Sequence, residues 1–316
     1  MTYPWGTARR YHAYSDYFRN RFGGRVQKVT VHGGFTCPNR DGTCGTGGCT
    51  FCNNKAFTPS YVDPAVPVAD QIRQGMAFHN KRYRNAHQFL AYFQAFTNTH
   101  APLDRLRELY SQALEVPGVI GLVVGTRPDS VDGAILDYLA ELAERCYLVL
   151  EFGLESLHDH TLRRINRGHD MAASRWAVAE SARRGIRTGG HLMVGLPGES
   201  RKDVMDSVRE LAQWPLHSVK FHQLQVIRGT AMEREYVEKR SDFLEFSLEE
   251  YLDLMVEIVE ALPPSLVVER IAGEVSPALA LQPGWGLRYD VVQKKFEALL
   301  EARDSWQGKQ FKPKDA

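Results

Sequence analysis

The feature that most constrains the fold is a regular alternation of short apolar strands with amphipathic helices. Apolar segments predict strands at residues 26–31, 89–93, 119–124, 147–152, 190–194 and 218–226. Helical patterns lie between them, at residues 68–84, 103–114, 131–144, 172–184 and 202–214. Mostly apolar strands joined by helices indicate a parallel sheet covered on both faces. About six such units favour an α/β fold, a partial (β/α)6 TIM-like barrel, over a small doubly wound sheet.

The segments on either side of this repeat have a different character. Residues 1–25 are aromatic and basic without a clear period, and we interpret them as an N-terminal lead-in that packs on the domain. Residues 26–230 are predicted to form the partial barrel, with a cysteine-rich loop at residues 37–52. Residues 231–316 predict a short C-terminal α/β extension that completes the domain. It comprises a charged connector, a helix that begins at a capping box, a strand at residues 266–271 and a helix at residues 289–303.

Charge and hydropathy narrow the functional classes. The 316-residue chain has 39 Lys and Arg against 38 Asp and Glu, so it has no overall attraction to nucleic acid, and a polyanion would have to meet a local patch. The N-terminal residues lack the continuous apolar region of a signal peptide, and no later run reaches the length of a membrane span. We therefore expect a cytoplasmic protein with no membrane partner.

Four of the five cysteines lie close together in a glycine-rich loop after the first predicted strand, at Cys37, Cys44, Cys49 and Cys52. Clustered thiols in a reducing compartment indicate metal binding rather than a disulfide framework. Four ligands would suit a structural zinc site, whereas three would hold an iron–sulfur cluster with one open iron. The loop lies at the carboxyl end of a strand in a large α/β sheet, which is the catalytic end. This position favours the cluster.

The last strand of the repeat carries polar residues at alternating positions. Lys220 and His222 should share one face, and Gln223 and Gln225 the opposite face. One of these pairs would then point into the barrel as substrate contacts, although a half-buried strand with polar residues facing outward would give the same pattern.

Several motifs in order carry a family resemblance. GFTCPNRDGTCGTGGCTFCN, FQAFTNT, TRPD, INRGH and HLMVGLPGE together resemble the radical S-adenosylmethionine enzymes, and specifically the YhcC-type branch related to the radical domain of the Elongator catalytic subunit. The resemblance covers residues 26–303. The spacing of Cys37, Cys49 and Cys52 departs from most of the family, because eleven residues separate the first two cysteines.

The resemblance implies the cofactors and the reaction. Cys37, Cys49 and Cys52 would hold a [4Fe-4S] cluster whose open iron binds S-adenosyl-L-methionine. A reduced donor of the flavodoxin or ferredoxin type would supply one electron, and cleavage of the sulfonium would yield a 5′-deoxyadenosyl radical. A fourth ligand would block the open iron, so Cys44 is interpreted as an incidental loop thiol.

The same resemblance suggests which residues contact S-adenosylmethionine at the second strand. Gln94, Thr97, Asn98 and Thr99 stand where the family binds the methionyl amino group, although this chain lacks the family's glycines there. Capping of the strand end explains these four polar residues almost as well.

Further contacts are implied at later strand ends. Glu155 and Arg167 resemble a pair that reaches the nucleoside in oxygen-independent coproporphyrinogen oxidases, and Arg167 would pair with the methionyl carboxylate. His191 stands near a ribose-binding position, and Gly195 and Pro197 belong to a turn that edges the adenine in the family. A surface arginine, a core histidine and turn geometry are the respective alternatives.

The Elongator resemblance suggests a tRNA substrate, modified on the side chain of a wobble uridine. Local support comes from basic clusters at residues 9–11, 81–84, 163–164 and 183–184. Acetyl transfer is not expected, because the acetyltransferase domain of Elongator is absent from this sequence. A small molecule such as a tetrapyrrole is the alternative substrate, and a non-catalytic zinc or iron–sulfur module that binds a partner is the alternative class.

Overall fold

The computed structural model describes residues 2–56, 58–82, 87–281 and 284–314, without the side chains of Lys55 and Arg82. Within these residues, seven parallel strands form one sheet whose spatial order follows the chain. The sheet curls into a half-barrel, so that Lys28 on the first strand lies 2.8 Å from Glu269 on the last. The strands are β1 Val26–Val31, β2 Gln88–Phe93, β3 Val119–Thr126, β4 Tyr147–Glu155, β5 Arg187–Val194, β6 Ser218–Gln223 and β7 Val267–Arg270.

The predicted α/β partial barrel is confirmed, with one correction to its extent. The strand expected at residues 266–271 is β7, and it pairs in parallel with β6. The C-terminal segment therefore completes the sheet itself, which has seven strands rather than six. A second correction concerns β6, which ends at Gln223 rather than at residue 226.

Helices pack on the sheet, most of them on its outside. They are α1 Tyr14–Phe22, α2 Val68–Arg82, α3 Leu103–Leu114, α4 Gly133–Arg145, α5 Asp159–Arg164, α6 Met171–Arg183, α7 Arg201–Leu211, α8 Ala231–Glu238, α9 Leu248–Ala261 and α10 Tyr289–Ala302. The capping box predicted for α9 is present, with Ser247 and Glu250 bonded reciprocally. The predicted charged connector instead contains α8, which Thr230 caps. The predicted end of α2 at residues 83–84 lies outside the described residues.

The N-terminal lead-in is more regular than its sequence pattern suggested. Residues Tyr14–Phe22 form a helix that ends at Gly23 in the left-handed region, with φ of 70°. Phe18 is buried in a small cluster with Tyr147 and other residues of the central strands. Just before α1, Ala13 forms a parallel bridge to Val268 on β7. The lead-in thus lies against the last strand and the interior of the sheet.

The two faces of the sheet differ in polarity. The outward face packs on the helices in one large apolar core that includes Val31, Phe93, Leu150 and Phe221. The inward face carries polar side chains at alternating positions, such as Lys28 and Thr30 on β1. This alternation leaves a polar interior within an otherwise apolar scaffold.

A search of the described residues finds no helix both long enough and apolar enough to cross a lipid bilayer.

Candidate active site

A cavity of about 420 Å³ lies inside the half-barrel, and it receives side chains from all seven strands or the loops after them. Two surface grooves are larger, one of about 830 Å³ beside the chain termini and one of about 740 Å³ between α3 and α4. Neither groove contains the clustered cysteines or a strand end that carries a predicted contact. The interior cavity is therefore the candidate site.

Three of the clustered cysteines line this cavity and the fourth does not. Cys37, Cys49 and Cys52 lie at its edge. Cys44 is exposed, and its sulfur lies 3.7 Å from Nη2 of Arg127. The division into three ligands and one bystander, expected from the resemblance, matches this placement.

The donor set fits an iron–sulfur cluster better than a single ion. Within the described ranges, no three His, Cys, Asp or Glu groups converge closely enough to hold one metal ion. Burial raises the pKa of the Cys37 thiol and of the Cys52 thiol, so bare thiolates are disfavoured there. Cationic iron would favour loss of those protons. Cysteine thiolates are the ligands that hold iron–sulfur clusters in proteins, and three cysteines lie at this cavity edge.

Hydrogen-bond donors surround the cysteine sulfurs. Oγ1 of Thr97 donates to Sγ of Cys37 at 3.1 Å, and Nδ2 of Asn39 lies 3.4 Å from Sγ of Cys49. Nη1 of Arg167 also lies 3.4 Å from Sγ of Cys49. Such donors orient metal ligands and tune the potential of a cluster. We call these three cysteines with Asn39, Thr97 and Arg167 the cysteine rim.

Arg167 is a buried residue of the rim rather than a surface arginine. Its Nη2 donates to the carbonyl of Gly153 at 2.6 Å and lies 3.7 Å from Oε1 of Glu155. Glu155 ends β4 with φ of 68°, a conformation rare outside glycine. The two predicted contacts, Glu155 and Arg167, are therefore brought together beside Cys49.

Arg127 supports the rim from the adjacent strand end. Its guanidinium pairs with Asp129 at 2.5 Å, and Nη1 donates to the carbonyl of Arg167 at 2.5 Å. Both Arg127 and Asn39 lie within motifs that carried the resemblance, but neither was identified as a site residue. An arginine directly after an apolar strand was the available signal for Arg127.

The remaining predicted contacts fall into two groups. Gln94, Thr97 and His191 line the cavity, as do Glu155 and Arg167. Four others lie outside its lining: Asn98, Thr99, Gly195 and Pro197.

In the second group, Asn98 and Thr99 form hydrogen bonds with residues at the ends of β2 and β3. Nδ2 of Asn98 donates to the carbonyls of Phe93 and Gly125, at 3.1 and 2.7 Å, and Thr99 is bonded to Thr126. A Cβ added at Gly195 would lie 3.0 Å from the carbonyl oxygen of Leu244. For Asn98 and Thr99, the capping role considered from the sequence is thus observed.

A second group of charges lies deeper, at mid-strand positions, and was not anticipated as a group. Lys28, Glu151, Lys220 and Glu269 come from β1, β4, β6 and β7, and we call them the charged floor. Nζ of Lys220 lies 2.9 Å from both carboxylates, and Nζ of Lys28 contacts Glu151 and lies 2.8 Å from Glu269. Two ammonium groups and two carboxylates thus neutralise one another.

Electrostatic interactions within the floor favour the charged forms of Glu151 and Lys28. Burial alone would raise the pKa of Glu151, but Lys220, Lys28 and a hydrogen bond from His191 outweigh it and hold that pKa well below its ordinary value. Burial would lower the pKa of Lys28, and its two carboxylate partners raise it instead. Nε2 of His191 lies 3.1 Å from Oε2 of Glu151. In the sequence, the feature that could have indicated the floor is a charged residue within an otherwise apolar strand, such as Glu151.

The expectation that only one polar pair of the last predicted strand faces the interior is wrong. Lys220, His222, Gln223 and Gln225 all line the cavity. Because β6 ends at Gln223, strand alternation no longer governs the next residues. Gln223 is held in place by Gly273, whose carbonyl accepts from Nε2 at 3.0 Å.

Comparisons with known proteins agree with this geometry. The family model described as the Radical SAM superfamily matches residues 37–211, and the Radical_SAM C-terminal domain matches residues 216–301. YtqA of Bacillus subtilis is 37% identical over 96% of this chain and 94% of its own length. YhcC of Escherichia coli (strain K12) is 39% identical over 84% of each chain.

More distant matches include proteins of the Elongator type. A protein of Dehalococcoides mccartyi named tRNA uridine(34) acetyltransferase is 26% identical over 58% of this chain and 39% of its own length. Among solved structures, the archaeal Elp3 of Methanocaldococcus infernus has a TM-score of 0.69 at 15% identity, over 89% of this chain and 64% of that chain. The structural likeness concerns the fold.

Proposed function

Because the chain belongs to the radical S-adenosylmethionine superfamily of iron–sulfur enzymes, we propose that it cleaves S-adenosylmethionine reductively to modify the side chain of a tRNA wobble uridine. Cys37, Cys49 and Cys52 would hold the [4Fe-4S] cluster. The observation that carries the radical chemistry is that these three thiols, and not Cys44, line the interior cavity.

When bound and given one electron by a reduced donor, the cluster and S-adenosylmethionine would supply a 5′-deoxyadenosyl radical for hydrogen-atom abstraction from the substrate, with methionine as the other product. The protein's own residues position these groups. Thr97, Asn39 and Arg167 donate toward the cysteine sulfurs, which fixes the orientation of the ligands.

We assign the contacts to S-adenosylmethionine among the residues at the cavity. Gln94 and Thr97 would bind the methionyl amino group, and Arg167 would pair with the methionyl carboxylate. Glu155, 3.7 Å from Arg167, would reach toward the nucleoside. Within the described residues, His191 has one ring nitrogen engaged by Glu151, which leaves the other for a ribose hydroxyl. For Asn98, Thr99, Gly195 and Pro197, which lie behind the lining, we propose an indirect role through the shape of the strand ends.

The relatives of the Elongator type support a tRNA substrate, whereas the basic clusters add little. Arg9 pairs with Asp16 and Glu297, and Arg10 with Asp304. Acidic partners likewise lie beside Arg164, Arg183 and Arg184. Tyr83 and Arg84 of the remaining cluster lie outside the described residues. Paired arginines attract phosphates less than free ones, so the tRNA proposal rests on the relatives.

Anaerobic reconstitution tests the radical chemistry. Protein loaded with iron and sulfide should become brown and release 5′-deoxyadenosine from S-adenosylmethionine when dithionite, or a reduced flavodoxin or ferredoxin, supplies electrons. A colourless protein that retains one zinc ion would instead support the non-catalytic module.

Nucleoside analysis tests the substrate. Bulk tRNA from a deletion strain should lack, or accumulate a precursor of, one modified uridine that the parent contains. Expression of the intact chain should restore the parent profile, and the Cys37→Ala variant should not. Identical profiles in parent and deletion strain would redirect the search to a small molecule such as a tetrapyrrole.

A further inference from the structure

Two consecutive side chains of β7 face the cavity, which regular strand alternation would not allow. The register pairs Val219 with Val268 and Lys220 with Arg270, so Glu269 is the extra residue of a bulge. Both Glu269 and Arg270 consequently line the cavity. Bulges commonly redirect a side chain next to an active site.

The bulge gives the two residues different partners. Glu269 joins the charged floor through Lys28 and Lys220. In the part of the chain that the structure describes, no carboxylate lies within ion-pair distance of Arg270, and no acceptor hydrogen-bonds to its guanidinium. The face of the guanidinium lies 5.2 Å from the ring centroid of Tyr289, which holds it by a cation–π contact.

The other cations of the cavity wall are engaged. The two floor lysines are neutralised by Glu151 and Glu269, Arg127 pairs with Asp129, and Arg167 contacts Glu155 and Cys49. Arg40 is exposed at the mouth and donates to the carbonyl of Cys52. Among the cavity-lining cations described, Arg270 therefore stands apart as a partly buried charge with neither a carboxylate nor an acceptor.

A neutral histidine lies beside this unpaired charge. Burial, and then the nearby Arg270, lower the pKa of His222 well below its ordinary value. The Gly273 backbone packs closely against the imidazole, since an added Cβ there would lie 2.8 Å from Nδ1 of His222. The cavity wall thus includes a guanidinium and an imidazole, from Arg270 and His222.

We propose that Arg270 and His222 form a subsite that binds an anionic group of the substrate, either a carboxylate or a phosphate. A guanidinium presents parallel N–H donors that match the two oxygens of such a group, and the self-neutralised floor does not compete for it. The inference rests on the proposed function in taking this cavity as the substrate site, but it does not require the substrate to be tRNA.

The test measures anion binding to the reconstituted protein by isothermal titration calorimetry, with acetate and inorganic phosphate as separate probes. The wild type should bind at least one probe saturably, and the preferred probe distinguishes carboxylate from phosphate. Arg270→Gln should weaken that binding at least about 30-fold, because the charged partner of the anion is lost. Arg270→Lys should give an intermediate loss, because an ammonium group cannot form the fork.

Two further variants keep the result interpretable. Gly273→Ala retains the charge of Arg270, but its methyl group would lie too close to Nδ1 of His222 and displace the imidazole, so it should also weaken binding. Arg288→Gln removes an exposed cation paired with Asp290 and should not weaken binding. Iron content and circular dichroism establish that each variant is folded. No saturable binding in the wild type, or a loss in Arg40→Gln but not in Arg270→Gln, would overturn the subsite.

The outcome is separable from that of the proposed function. Binding that depends on Arg270, in a protein that releases no 5′-deoxyadenosine, would retain the subsite and reject the radical chemistry. If the protein releases 5′-deoxyadenosine but Arg270→Gln does not change anion binding, the radical chemistry is retained and the subsite is rejected.

Discussion

The cysteine rim and the charged floor occupy the same cavity but are built in opposite ways. The rim gathers its three thiols from one short loop and surrounds them with donors, so it presents ligands for a group that the chain does not itself contain. The floor takes one charge from each of four strands, and these charges satisfy one another. The rim therefore offers donors to the cluster that we propose, whereas the floor joins β1 to β7 through Lys28 and Glu269.

Removal of single rim cysteines should have the largest effect. Cys37→Ala, Cys49→Ala and Cys52→Ala should each lose the cluster and all cleavage of S-adenosylmethionine, because two thiolates cannot replace three. Cys44→Ala should retain both, since Cys44 lies outside the cavity lining. Iron content and released 5′-deoxyadenosine measure these outcomes. Loss of the cluster in Cys44→Ala would show that the ligand assignment is wrong.

Glu151→Gln should lower the free energy of unfolding by a large amount. Unlike the cysteine variants, it retains all three cysteine ligands. The variant leaves Lys28 and Lys220 with Glu269 as their remaining carboxylate. Removal of one partner from a buried ionic group costs about 3–5 kcal/mol, measured as the free energy of urea unfolding. Glu257→Gln, which breaks an exposed pair with Arg201, is the control and should cost less than about 1 kcal/mol. Equal losses in the two variants would contradict a structural role for the floor.

The floor should also make stability depend on acid pH. The folded pKa of Glu151 is held below the unfolded value of about 4.3, so its contribution is fully present above that value. The contribution is lost as the pH falls through the folded pKa, because the unfolded chain binds the proton first. Urea midpoints measured from neutral pH to about pH 3 should therefore fall less steeply in Glu151→Gln than in the wild type. If the urea midpoints of the two proteins fall in parallel with pH, residues other than Glu151 cause the acid sensitivity.

The contrast between rim and floor also explains how far the sequence could be interpreted. Apolar runs predicted six strands of the barrel and a seventh at residues 266–271, and the family resemblance suggested the three thiols of the rim but not Asn39. The pairing of Val267 with Ser218, which makes β7 part of the sheet, depends on contacts between distant residues and not on local pattern. A lysine such as Lys28 within an apolar strand fits either a solvent-facing or an inward position, and only the curl of the sheet decides between them.

The donors behind the cysteines should give the smallest effect, and two threonines allow a matched test. Thr97→Val removes the hydroxyl that donates to Cys37, whereas Thr99→Val removes a buried hydroxyl bonded to Thr126, and Thr99 itself lies outside the cavity lining. Each lost hydrogen bond should cost about 1 kcal/mol of unfolding free energy.

The two variants should differ in their affinity for iron. A hydroxyl that donates to a cysteine ligand tunes that affinity, whereas a hydroxyl that bonds only to a neighbouring strand end does not. Thr97→Val should weaken iron retention about tenfold against a chelator, and Thr99→Val should match the wild type. If both variants lose iron equally, the effect comes from the shape of the strand end, and Thr97 does not belong to the rim.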